Sequence, residues 1–300
     1  AGSLEVEGGF KQLAPAGSHV VAVAGGSEVT LLDISIPASP SISGAVALTG
    51  PVADVAVSGS RAYAAVRGIG VCVLDIANPE QPVIAGQCPT PGASEAVGEE
   101  MGPFEVEMVG NYPMVADGLG GIVVIDATDA NHPFATDLRR TGSPCLHMKT
   151  DANLAFASTG GETLLFDATA YSSRLRAVAQ SDTAGWGMTR GLRVSDDLLF
   201  QCDGGSGLRI LDVADPAEPQ WLGAIHNAHL TWEQGRWNAY AADVSPPYVF
   251  VAAREPGVLI VNYSDPIHPA FAELLDTPDA ASDLEVEGNI LYVADRNGGL

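Results

Sequence analysis

Residues Asp54–Gln87 read DVAVSGSRAYAAVRGIGVCVLDIANPEQPVIAGQ, and this stretch decides the fold. It holds four apolar, β-branched runs: Asp54–Val57, Ala62–Val66, Val71–Ile76 and Val83–Gln87. Glycine-rich steps and an Asn-Pro turn separate them. Runs this short, punctuated this way, predict antiparallel strands joined by tight turns. We call them strands a to d. No segment of the chain carries convincing helical periodicity.

The same phrase recurs along the whole chain. The strand-c run and its turn read VTLLDISIPASP at Val29–Pro40, IVVIDATDANHP at Ile122–Pro133 and TLLFDATAYSS at Thr163–Ser173. They return as LRILDVADPAEP at Leu208–Pro219 and VLIVNYSDPIHP at Val258–Pro269. The markers are Asp33, Asp75, Asp126, Asp167, Asp212 and Asn262, spaced 41 to 51 residues apart. Four strands repeated at that period are the signature of a β-propeller blade. The expected fold is all-β: a seven-bladed β-propeller of four-stranded antiparallel blades in one domain, 1–300. The blades fall at about 8–49, 50–88, 103–141, 142–181, 188–226 and 238–276, with 281–300 joined by 1–7. In that reading the N-terminal strand near Ser3–Glu7 supplies strand d of the C-terminal blade and closes the ring, which protects the edge strands.

Composition narrows the function classes. The chain has 37 acidic residues against 14 basic ones, a net charge of −23. That field repels polyanions, so nucleic acid is excluded as an expected partner. No run has the ~18 apolar residues of a transmembrane helix. The first residues, AGSLEVEGG, hold neither Met nor a signal core, and an upstream segment is expected to have been removed.

Three stretches carry a family likeness: GLRILDVADPAEP at Gly207–Pro219, VGNYPMVADGLGGIVVIDATD at Val109–Asp129 and TPDAASDLEVEGNILYVADRNGGL at Thr277–Leu300. They resemble the LVIVD-repeat family of exported bacterial and archaeal proteins, and the resemblance covers essentially the whole chain. It implies a propeller that is usually secreted or surface-attached. It implies no activity, because fold does not supply function.

Candidate sites follow from the propeller layout. Aligning the units on strand b puts Gln12, Asp54, Glu105, His147, Gly191, Ala241 or Asp243, and Asp283 at equivalent places on strand a. Asp54, Glu105, His147 and Asp283 are candidate metal ligands at the mouth of a central channel, for calcium or a transition metal. The same acids also fit turn caps that accept backbone N–H groups. The loops offer candidate partner-binding residues: Trp186, Arg190, His226, His229, Trp232, Arg236 and Trp237. Aromatics and Arg gathered on loops suit a binding surface, and they equally suit a plug over the channel. The loop Pro89–Phe104 adds Glu95, Glu99 and Glu100. Cys72 and Cys88 are expected to face each other across strands c and d, as a possible disulfide or as buried thiols.

No nucleophile elbow, P-loop or Cys-x-x-Cys is present in the sequence. The expected function is therefore a binding or scaffold propeller without intrinsic catalysis. Its setting is extracellular, cell-surface or periplasmic, and its partner a protein, glycan or cation. The alternatives are a metal-dependent enzyme or redox protein with its site at the channel mouth, and a structural subunit of a larger surface assembly.

Overall fold

The computed structural model of the chain describes residues 4, 10–24, 26–36, 38–94, 101–141, 143–151, 154–159, 162–167, 176–182, 189–215, 218–226 and 237–295. Strands β1 (Gln12–Ala16), β2 (His19–Val23), β3 (Glu28–Asp33) and β4 (Ser41–Ala47) form the first blade. The second is β5 (Val52–Ser58), β6 (Arg61–Val66), β7 (Gly70–Asp75) and β8 (Val83–Cys88). A helical turn, α1 (Pro91–Ser94), precedes the third: β9 (Met101–Val109), β10 (Tyr112–Gly118), β11 (Ile122–Asp126) and β12 (Phe134–Arg139). The fourth is β13 (Cys145–Asp151), β14 (Leu154–Thr159), β15 (Glu162–Asp167) and β16 (Arg176–Asp182). The fifth is β17 (Gly191–Ser195), β18 (Leu198–Cys202), β19 (Gly207–Asp212) and β20 (Gln220–His226). The sixth is β21 (Ala241–Ser245), β22 (Tyr248–Ala252), β23 (Val258–Asn262) and β24 (Ala270–Leu275). A final hairpin pairs β25 (Asp283–Glu287) with β26 (Ile290–Ala294). This is a propeller-like all-β fold of four-stranded antiparallel blades. Nearly all of the segment expected to close it, Ser3–Glu7, lies outside the described residues.

The marker residue now has a physical role. The side chains of Asp33, Asp75, Asp126, Asp212 and Asn262 each accept the N–H two residues on, at 2.8 to 2.9 Å. Such an Asx turn ends strand c and starts the reversal into strand d. Asp and Asn share the geometry, which explains why the marker tolerates either.

Two compact units divide the described chain: Ala1–Thr159 with Phe166–Arg176, and Gly160–Leu165 with Ala177–Leu300. In the first, the inner strands β1, β5, β9 and β13 lie side by side in succession. In the second, β17, β21 and β25 do the same. The second blade buries both faces. In the second blade, Ala62, Ala64, Cys72 and Leu74 pack with Val21 and Leu31 of the first. Tyr63, Ala65, Val71 and Val73 point the other way, onto Val106, Val115 and Ile125 of the third. Period-2 alternation therefore sends consecutive residues into two different cores.

That alternation corrects the disulfide expectation. A β-bulge shifts the c–d register in five blades, between Val73 and Leu74 in the second. Cys72 stands opposite Gln87, and Cys88 opposite Val71. The bulge offsets the pairing by one residue, so the two thiols face opposite cores. Both are buried and free, as are Cys145 and Cys202.

Candidate functional site

The inner-strand residues singled out from sequence do occupy equivalent rungs. Asp54 pairs with Ala65, Glu105 with Ala116, His147 with Ser158 and Asp283 with Ala294. Ala241, and not Asp243, holds that rung in the sixth blade, opposite Ala252. Asp54, Glu105 and His147 belong to the first unit and Asp283 to the second. The first three form a chain of contacts from blade to blade. Asp54 accepts the Val106 N–H at 2.9 Å. Glu105 accepts the Met148 N–H through one oxygen and meets His147 Nδ1 at 2.9 Å through the other. Two residues along, Lys149 donates to Glu107. The second unit repeats the device: Asp243 accepts the Val286 N–H at 2.6 Å and pairs with Arg193 at 2.7 Å. Each acid thus bonds the backbone one position beyond the equivalent rung of the next blade. Asp54 and Glu105 cap N–H groups of the neighbouring blade, Asp283 accepts the Leu284 N–H of its own strand at 3.0 Å, and Asp243 does both, taking the Val244 N–H at 2.7 Å.

Electrostatics differ sharply within this row. Burial, and then the Glu105 charge beside it, push the Asp54 carboxyl up to about 8. Burial pushes Glu105 upward too. Its neighbour His147, the Lys149 charge and the Met148 N–H nevertheless hold it below the ordinary carboxylate range. Burial alone would lower Lys149, but Glu107, Glu105 and Asp54 raise it, so its ammonium stays charged. Two adjacent carboxyls with such different environments are a mark of a functional or a tightly structural cluster. Among the described residues, no group of three or more His, Cys, Asp or Glu is placed to hold a metal ion.

A second set of polar residues escaped the sequence reading. Asp117, fully buried, accepts the Thr90 hydroxyl and the Gly92 N–H, each at 2.6 Å. Asp295 does the same with Thr277 and the Asp279 N–H, each at 2.8 Å. Asp203 accepts Thr189 at 2.8 Å and pairs with buried Arg209 at 3.0 Å, while Gln201 bridges to Thr163. In each case the Asp at the end of strand b pins the threonine that leads into the blade's own strand a. The signal was the Thr-Pro step at Thr90 and Thr277, together with the Asp that closes each strand-b run at Asp117, Asp203 and Asp295.

The partner-binding candidates divide. Trp186, His229, Trp232 and Arg236 lie outside the described residues, as do Glu95, Glu99 and Glu100. His226 ends β20 opposite Gly207. Trp237, expected on a binding surface, is a core residue at 3% exposure, packed among Phe200, Ile225 and Val249. Its segment is tied down by Asn238 N–H to Ala253 and by the Ala239–Gly204 bridge, which turns the indole inward. Arg190 is exposed and lies over the Tyr240 ring at 5.4 Å. Arg254, absent from the sequence reading, lies over the same ring at 4.5 Å.

The LVIVD-repeat family model matches residues 49–90, 105–135, 186–225, 239–277 and 279–300. The chain belongs to the LVIVD-repeat family. No curated protein matches the sequence. Solved structures match this LVIVD-repeat protein in fold alone. A protein from Lactobacillus plantarum is 16% identical with a TM-score of 0.73, over 91% of this chain and 86% of that one. The WD40 β-propeller domain of Doa1 is 10% identical at 0.70, over 99% and 93%. A putative 6-phosphogluconolactonase from Bacteroides fragilis is 16% identical at 0.71, over 95% and 86%.

Two outcomes check this account. Asp54 keeps its proton in the folded state to about pH 8, but ionises near its ordinary 3.8 when unfolded. The folded state then binds more protons, so this group's contribution to stability falls as pH rises through that window. Asp54→Asn, which keeps an acceptor for Val106, should therefore raise stability progressively over the window. The gain should be several kcal/mol, up to about 6, at its alkaline end. Denaturant titrations across pH read this, and a pH-independent gain would show Asp54 ionised throughout. Asp117→Ala strands the Thr90 hydroxyl and the Gly92 N–H in the interior, and should cost about 2–3 kcal/mol in the same assay.

Proposed function

We propose that this LVIVD-repeat protein is an exported or surface-displayed binding and scaffold propeller with no catalysis of its own. In this reading it closes as seven blades, with residues 1–7 adding the outer strand to the blade begun by β25 and β26. The observation that carries the functional reading is the commitment of the inner-strand acids. Asp54, Glu105 and Asp243 each hold a backbone N–H of the next blade. A catalytic carboxylate must instead be able to reach substrate and exchange a proton with it. The strongly acidic composition fits a soluble, self-repelling surface. The loop face is then the part left to engage a protein or glycan.

A metal site at the inner strands is the second reading, favoured by the direct contact of Glu105 with His147. A metal there would take over carboxylate oxygens that now hold Val106 and Met148. Elemental analysis of protein purified without chelator separates the two. We expect no stoichiometric divalent ion and an unchanged Tm in EDTA. A stoichiometric metal whose removal lowers Tm would overturn the non-catalytic reading of this row. Ring closure has its own check. Deleting residues 1–8 should lower Tm by several degrees, because the C-terminal blade then loses its expected strand d. An unchanged Tm would assign that outer strand elsewhere.

A further inference from the structure

In a chain with 14 basic residues against 37 acids, two arginines gathered on one aromatic ring stand out. They lie in the second unit. Arg190 and Arg254 both stack on Tyr240, and neither forms an ion pair with any described carboxylate. The Arg254 Nε is buried without a hydrogen-bond partner among the described residues.

The three residues are held firmly. Thr189, locked to Asp203, precedes Arg190, whose own N–H bonds the Cys202 carbonyl at 2.7 Å. The Tyr240 N–H bonds the Ala252 carbonyl at 2.9 Å. Arg254 exchanges backbone bonds with Ala281 at 3.1 and 3.2 Å. It does so at a φ of 63°, a left-handed conformation that a non-glycine residue adopts only under constraint. A glycine would satisfy that turn without strain, so the guanidinium is not explained by the turn.

We propose that Arg190, Tyr240 and Arg254 form a binding site for a multiply charged oxyanion, a phosphate or sulfate group. The planar forks of the two guanidiniums supply N–H donors suited to such oxygens. The aromatic ring holds both cations in place and partly offsets their mutual repulsion. One arginine alone would work against the −23 field of the chain; two fixed on one ring give a local charge that a dianion matches. The site supplies a ligand chemistry for the binding-propeller reading and rests on that reading only for its biological meaning.

The test is calorimetric titration of the full chain with sodium phosphate, sodium sulfate and methyl phosphate, at constant ionic strength set with chloride. At least one of these should bind at one site per chain. Arg190→Gln and Arg254→Gly should each weaken it about tenfold or more. Arg254→Gly should meanwhile keep or raise Tm, because it relieves the left-handed strain. Arg254→Lys, which keeps charge without the fork, should fall between wild type and Arg254→Gly. Methyl phosphate bound as tightly as phosphate assigns the site to an esterified group, and weaker binding assigns it to the free ion. The proposal is overturned if no probe binds saturably, or if the variants bind as wild type does. It is also overturned if Arg254→Gly loses stability, which would make the arginine structural. Failure here leaves the metal and truncation results untouched, so the two readings fall separately.

Discussion

A four-stranded blade that is apolar on both faces can bury them only against other blades. That constraint organises everything else in this chain. It explains why strand c reads as an unbroken apolar run, as in Val71–Leu74, where an alternating run would suit a sheet with one wet face. It also explains why neighbouring residues such as Cys72 and Val73 serve different cores. Close approach is part of the same packing. A side chain at Gly86 would strike the Ala130 carbonyl of the next blade's turn. Gly44 and Gly223 meet the corresponding turns at Pro79 and Pro266 in the same way.

The polar network is a consequence of that burial. Bringing inner strands side by side confronts backbone N–H groups with a neighbour that cannot pair as a full sheet. A carboxylate one rung away satisfies them. Asp54, Glu105 and Asp243 do so between blades, and Asp117 and Asp295 do so within a blade, while Asp203 takes the Thr189 hydroxyl instead. Several acids that look like ligands in the sequence are therefore the solution to an accounting problem of buried backbone groups. The exception is informative. Arg190 and Arg254 answer no such need, since both backbones are already tied and neither side chain is ion-paired with a described acid.

The sequence by itself determined the repeat, the strand order and the equivalence of rungs on strand a. Those depend on local rules: period-2 alternation, Asx turns after Asp75 and its counterparts, and glycine-rich reversals. Hence Asp54, Glu105, His147 and Asp283 could be aligned correctly without coordinates. Only the tertiary structure decided what those side chains do. A single bulge in strand d separated Cys72 from Cys88, and a bridge between Ala239 and Gly204 turned Trp237 inward. Arg190, Tyr240 and Arg254 come from three separate turns that only packing of the fifth and sixth blades brings onto one ring. The physical reason is common to all three. Secondary structure follows from neighbours in the chain, while the direction and partner of a side chain follow from neighbours in space, which one offset residue can exchange.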